Sequence, residues 1–314
     1  MKITFFQTIE QSFEDNRVFS KAYYSIPFFY YFILLLAVLK VEGLRPLLAQ
    51  GVETFSPRWP VFWAEFVDYN TAGTVIILFF FFSALLAAFQ PWSVYTRILV
   101  FTGLLQFHAF ASSFGADQHQ FVLYLWVAFI FIFLPKIKEL TPPSLDTRKK
   151  LLFVFFSAQA YLFLTYTMAG IGKLYAGVTQ YLAGSASLFS LDAASLHIAS
   201  WLNIMNYGNT IAGPFIVEYQ FLGWIALVGV VYLQFFAFFV VFRPSLHRVW
   251  ALALVFFHIG PYLTMRAIFP FHIFILTILF FNSPFYPDDT SWKRMVKDLP
   301  LFGFVFKRFS YFKD

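Results

Sequence analysis

The stretch Thr71–Gln90, TAGTVIILFFFFSALLAAFQ, decides the fold because it contains no charged residue. An α-helix needs about 20 apolar residues to cross the hydrocarbon core of a bilayer. In lipid, backbone N–H and C=O groups must pair inside the segment itself, which favours a helix over an isolated strand. We therefore predict that this stretch is a transmembrane helix.

Seven further stretches have a similar length and lack charge. They are Ala22–Leu39, Ile98–Ala116, Gln118–Pro135, Leu151–Gly172, Tyr219–Phe242, Val249–Met265 and Ala267–Pro287. The whole chain is 60% hydrophobic and 12% charged, whereas soluble domains carry about 25% charged residues. We predict an all-α, polytopic integral membrane protein, a bundle of eight transmembrane helices over residues 22–287 with the lipid bilayer as its first partner.

Three other segments complete the predicted organisation. Phe5, Phe6, Ile9 and Phe13 recur at helical spacing, so residues 1–21 are predicted to form an amphipathic helix in the membrane interface. The segment 174–217 is uncharged apart from Asp192 but rich in Gly and Asn, which predicts short interfacial or re-entrant helices. Two extra spans here, making ten, are the alternative. Residues 288–314 form a basic tail.

Basic residues set the predicted orientation. Seventeen of the 22 lysines and arginines lie on the side of the N-terminus and five on the other. Loops rich in Lys and Arg stay in the cytoplasm, so both termini are predicted to be cytoplasmic. Because most basic residues lie in short loops between apolar runs, the net charge of +6 reflects topology, and no nucleic-acid partner is predicted.

Lys173 is the first candidate site residue. It ends an apolar run and follows the small residues Gly170 and Gly172, which let a ligand or another helix approach closely. A neutral lysine amine at such a place could act as a general base. The alternative is a lysine whose ammonium reaches the interface, as lysines near helix ends often do.

Two histidines are the other candidates. His119 begins the fourth predicted span and His258 lies inside the seventh. Polar rings at membrane depth face the bundle interior or a cavity. The alternatives are an interfacial histidine bonded to a loop carbonyl for His119 and a helix–helix hydrogen bond for His258. The chain has no cysteine and no histidine pair at i, i+4, so no metal site is predicted.

Three segments resemble the horizontally transferred transmembrane domain (HTTM) family. This family includes vitamin K-dependent gamma-carboxylases and a bacterial protein needed for maturation of a sporulation-delaying toxin. Tyr166–Leu174, YTMAGIGKL, is similar to the family pattern Tyr-Phe-x-Ala-Gly-(Ile/Val)-x-Lys-Leu. The run beginning Asp117-Gln-His119 resembles Asn-Asn-His-x-Tyr-Leu. Arg243, then Phe257-His258, then Phe269-Pro270 follow the order Arg, Phe-His, Phe-Pro.

This resemblance implies a site on the extracytoplasmic side and an expected function. Lys173 would be the base that deprotonates a reduced quinone such as vitamin K hydroquinone, with His119 and His258 in the same site. The expected protein is a carboxylase-like enzyme or a maturation factor. It would act on a quinol-like lipid or a secreted peptide in the bacterial cytoplasmic membrane. The alternative is a non-catalytic subunit of a larger membrane complex, favoured by Asp117-Gln118 in place of the paired asparagines.

The predicted orientation can be tested with single cysteines, because the native chain has none. A cysteine at Gly184 should react with an impermeant thiol reagent added outside the cell. A cysteine at Ser144 should react only after the membrane is opened. Labelling of Ser144→Cys from outside, with Gly184→Cys unlabelled, would mean that the topology is inverted.

Overall fold

The computed structural model describes residues 12–49, 54–115, 119–137, 143–185, 187–205 and 210–303, and all regular elements in these ranges are helical. The chain divides into two compact units, Met1–Ala158 (unit 1) and Gln159–Asp314 (unit 2). The all-helical prediction is therefore confirmed for the described residues.

Besides a short 3₁₀ helix over Phe62–Phe66, the described residues of unit 1 contain four α-helices of more than ten residues and the beginning of a fifth. They are α1 (Asn16–Leu48), α2 (Tyr69–Phe89), α3 (Val94–Ser112), α4 (His119–Phe131) and the first part of α5 (Leu145–Leu182). Asp68 caps α2 by accepting a hydrogen bond from the Thr71 amide. α2 packs closely on α3 because Gly103 faces Phe80, where an added Cβ would lie 3.0 Å from the Phe80 Cα atom. Aromatic rings fill the remaining core.

Unit 2 contains the second part of α5 and seven further helices. They are α6 (Ala193–Ile204), α7 (Gly213–Glu218), α8 (Gln220–Phe235), α9 (Ala237–Val241), α10 (His247–Met265), α11 (Pro270–Leu276) and α12 (Trp292–Asp298). A π-helical turn over Thr277–Phe281 follows α11 directly. The backbone carbonyl of Leu279 in this turn accepts a hydrogen bond from the side-chain amide of the buried Gln159.

Within the part of the chain that the structure describes, five helices are long and apolar enough to cross a membrane. Their bounds are Asn16–Gly43, Tyr69–Phe89, Val94–Ser112, Leu145–Leu182 and Pro244–Met265. Three predicted spans correspond instead to shorter apolar helices, Val122–Phe131, Gln220–Phe235 and Pro270–Phe281. Several long apolar helices indicate an integral membrane protein.

The predicted span Tyr219–Phe242 is broken in its middle. α8 ends at Phe235 and α9 begins at Ala237, although neither Pro nor Gly occurs at the break. The Thr167 hydroxyl on α5 donates to the Gln234 and Phe235 carbonyls and accepts from the Phe238 amide at 2.9 Å. One side chain thus satisfies backbone groups that the break releases, which makes the break tolerable in an apolar surrounding.

The segment 174–217 forms no separate span in its described residues. Instead of ending at Gly172 as predicted, α5 continues to Leu182 and has 38 residues. α6 has 12 residues and is about 18 Å long, too short for a hydrocarbon core of about 30 Å. The structure therefore agrees with short helices here and gives no support to the ten-span alternative.

The predicted terminal segments lie partly outside the described residues. Residues 1–11 and 304–314 are not described, so the interfacial helix over 1–21 stays a prediction. Asn16–Lys21 form the first turns of α1 and continue into the first apolar span.

Gly170 provides a test of the packing between α5 and the break at Phe236. A Cβ atom at Gly170 would lie 2.6 Å from the Phe235 nitrogen, whereas one at Gly172 would meet nothing within 4 Å. Gly170→Ala should therefore destabilise the protein by about 1–3 kcal/mol, and Gly172→Ala should not. Unfolding of the purified protein by denaturing detergent measures both. Equal stability of the two variants would contradict this packing.

Candidate functional site

A cleft of about 580 Å³ lies in unit 2, with residues of α5, α6, α8 and α10 on its walls. Its lining is mostly apolar. The polar side chains on its walls are Lys173, Gln180, Ser187, His197 and Thr264. Among the described residues that line it, Lys173 is the one charged side chain. This combination of a single cation and an apolar space distinguishes the cleft from a water-filled polar cavity.

Small residues create the space. The small residues Ala176, Gly177, Ala194, Gly223 and Gly260 all line the cleft. Gly223 permits close packing, since a Cβ there would lie 2.7 Å from Ile216 and 3.2 Å from Ala194. At Gly260, an added Cβ would meet nothing within 4 Å, so this position faces open space.

Two hydrogen bonds join the α6–α7 region to the C-terminal end of α10. The Trp201 indole donates to the Met265 carbonyl at 3.1 Å, and the Thr210 hydroxyl donates to the Thr264 carbonyl at 2.9 Å. The last carbonyls of a helix have no partner within it, so these bonds satisfy groups that the end of α10 leaves free. They also hold α6 in place as one wall of the cleft.

On the α10 side, the cleft reaches the surface of the protein. Phe256 lines the cleft and is also 62% exposed. Phe257 and Pro261 continue the same wall. Because α10 belongs to a helix long and apolar enough to cross a membrane, an apolar molecule in the bilayer has a short path to this wall.

Lys173 is half-buried on the wall that α5 provides. It forms no hydrogen bond or ion pair with any residue in the described ranges. Nothing in the described part of the chain therefore competes with a ligand for the Lys173 amine. Of the two small residues before Lys173, Gly170 packs against the Phe235 backbone, whereas a Cβ added at Gly172 would meet nothing within 4 Å. The approach of a ligand to Lys173 stays a prediction.

His258 lies beside this wall but does not line the cleft. Its ring is 5% exposed, and its Nε2 atom is 2.6 Å from the Tyr166 hydroxyl. Tyr166 lies on α5 seven residues before Lys173, on the same face of the helix. Lys173 is close enough to interact electrostatically with His258. The structure thus brings two of the three predicted site residues near each other.

His272 is a neighbour of His258 that sequence reasoning passed over for lack of context. The two ring centroids are 4.5 Å apart. Within the described residues, both Nδ1 atoms are buried and have no hydrogen-bond partner. The signal in the sequence was a lone histidine inside the uncharged run Ala267–Pro287.

Two further histidines remain: His119, which was a predicted site residue, and His197, which was not. His119 is the first residue of α4, and its side chain lies outside the described residues. Its convergence with Lys173 and His258 remains a prediction. His197 on α6 is exposed at the cleft and was missed because it lies in the broken segment 174–217. The cleft is mostly apolar, and His258 lies outside its lining, where its Nε2 atom contacts the Tyr166 hydroxyl.

No group of three or more His, Asp or Glu side chains in the described ranges could hold a metal ion. Comparison of the chain with protein-family profiles, with curated proteins and with solved structures found no match. The geometry of unit 2 therefore carries the argument for function.

The buried hydrogen bond between Tyr166 and His258 yields a stability prediction. Tyr166→Phe keeps the ring but leaves a histidine nitrogen without its partner, which should cost about 1–3 kcal/mol. Tyr175→Phe is the matched control on the same helix, because Tyr175 is 72% exposed. Thermal unfolding in detergent should show a loss for Tyr166→Phe alone. Identical transitions for both variants would contradict this bond.

Proposed function

We propose that this chain is an HTTM-like integral membrane protein whose unit 2 binds a quinol-like lipid, with Lys173 as the general base. The observation that carries the proposal is the position of Lys173, the one charged side chain on the walls of an apolar cleft. A volume of about 580 Å³ falls within the 300–1,000 Å³ that small-molecule sites occupy.

The chemistry requires only one proton transfer. A neutral Lys173 amine takes the proton of a hydroquinone hydroxyl, giving an ammonium group and a hydroquinone anion. The two products attract each other, and the low-polarity walls strengthen that attraction. Arginine could not replace Lys173 as the base, because guanidinium stays protonated in proteins.

The proposed topology has eight spans, with both termini in the cytoplasm of a bacterial cell. The five long helices supply five spans, and the three shorter apolar helices supply the others together with the apolar residues that flank them in the uncharged runs Gln118–Pro135, Tyr219–Phe242 and Ala267–Pro287. The distribution of basic residues then places Lys173 and the segment 174–217 on the extracytoplasmic side. On that side the site is accessible to a secreted peptide, as expected for a carboxylase-like enzyme or a maturation factor.

One observation favours the alternative of a non-catalytic membrane subunit. His258 is engaged in a buried hydrogen bond with Tyr166, which is the structural role that helix–helix hydrogen bonds play in membranes. The cleft beside Lys173 favours the enzyme instead, because a purely structural contact would be expected to fill it. The experiments below separate the two.

Deprotonation of a bound hydroquinone tests the role of Lys173. The purified full chain is mixed with a short-chain naphthohydroquinone without oxygen, and absorbance reports the hydroquinone anion as pH rises. Wild-type protein should shift ionisation of the bound hydroquinone to lower pH. Lys173→Met should lose this shift, whereas Lys293→Met, which removes an exposed lysine from α12, should keep it. An unchanged shift in Lys173→Met would exclude Lys173 as the base.

Occupation of the cleft is tested separately by filling it. Gly260→Phe places a ring where an added Cβ meets open space inside the cleft, and should weaken naphthohydroquinone binding at least tenfold. Gly229→Phe is the matched control, since Gly229 also meets nothing within 4 Å but does not line the cleft. Unaltered binding to Gly260→Phe would mean that the ligand binds elsewhere. Absence of binding to the wild type would favour the alternative, a non-catalytic membrane subunit.

A further inference from the structure

Arg97 in unit 1 is a buried cation and is 1% exposed. Its Nε and Nη1 atoms are buried and have no hydrogen-bond acceptor among the residues that the structure describes. Tyr30 on α1 is 0% exposed, and its hydroxyl likewise has no partner. The two side chains interact electrostatically. Two unpartnered polar groups are thus buried near each other, far from the cleft residues in sequence.

The position of Arg97 on its helix makes the local charge more positive. It lies in the first turns of α3, a helix of 19 residues whose N-cap, Ser93, makes no side-chain capping bond. The N-terminal end of a helix carries free N–H groups and a partial positive charge. An arginine is therefore at the unfavourable end of this helix, unless an anion is bound there.

Neighbouring aromatic residues place this end of α3 at the level of lipid headgroups. Tyr23 stacks on Trp92 with ring centroids 4.5 Å apart, and Tyr30 follows two turns later on the same face of α1. Tyr95 is 77% exposed. Trp and Tyr concentrate at membrane interfaces, and the basic residues assign this end to the proposed cytoplasmic side.

Burial of an unpaired arginine in a membrane protein is unfavourable, whereas an arginine paired with an oxyanion forms strong charge-assisted hydrogen bonds. We propose that Arg97, at the start of α3, and Tyr30, on α1, form a binding site for a phosphate group. The guanidinium and the phenol hydroxyl donate to phosphate oxygens, and the helix end adds its partial charge. The phosphate belongs either to a phospholipid headgroup of the cytoplasmic leaflet or to free phosphate.

Thermal unfolding of the full chain distinguishes these two sources. The first arm titrates delipidated protein in a neutral detergent with inorganic phosphate, with chloride at equal ionic strength as reference. The second arm compares the delipidated protein after addition of phosphatidylglycerol with the same protein after addition of diacylglycerol, which has the same tails but no phosphate. A ligand that binds the folded state raises the unfolding temperature. Saturable stabilisation in the first arm indicates free phosphate, and stabilisation in the second arm alone indicates the lipid headgroup.

Variants establish whether Arg97 and Tyr30 carry the effect. Arg97→Gln should weaken the response at least tenfold, and Tyr30→Phe, which removes one hydroxyl, should weaken it about threefold. Arg294→Gln, which removes an exposed arginine from α12, should respond as the wild type does. If Arg97→Gln does not fold, the response of Tyr30→Phe to phosphate and lipid tests the site by itself. A wild type that gains nothing over chloride and diacylglycerol, or a Tyr30→Phe variant with an unchanged response, would overturn the site.

Discussion

In hydrocarbon, every backbone N–H and C=O group must find its partner within the protein, and the described helices follow from this constraint. Where a helix is interrupted, side chains from neighbouring helices supply the missing bonds. Thr167 does so at the break after Phe235, and Trp201 does so at the end of α10. The irregular parts of unit 2 are therefore held in place as firmly as its regular helices.

This constraint also explains where the cleft lies. Helices pack most closely in membranes through small residues, and unit 2 has Gly170 at such a contact with the Phe235 backbone. Ala176 on α5 and Gly260 on α10 border the cleft instead, and a Cβ added at Gly260 would meet nothing within 4 Å. Small residues therefore allow close packing where another backbone lies against them, as at Gly170, and leave open space where nothing does, as at Gly260.

Prediction from the sequence was accurate where a property depends on one segment alone. The uncharged run Thr71–Gln90 matches α2 almost end to end. Features that depend on two segments were missed. The break in Tyr219–Phe242 depends on Thr167 of another helix, and the Tyr166–His258 bond joins residues 92 positions apart. Neither contact can be detected in the hydropathy of the segments that form it.

The exposure of Phe256 on the cleft wall has a consequence for ligand selection. A lipid-like ligand that reaches the cleft from the bilayer can leave the end of its chain among the acyl chains outside. Carbon atoms beyond the cleft then have the same surroundings in the free and the bound state, so they add nothing to the binding free energy. Affinity, expressed as mole fraction in the membrane, should depend on the head near Lys173 and be insensitive to tail length. Homologues with long and short tails would then compete equally, and the composition of the membrane would determine which one is bound.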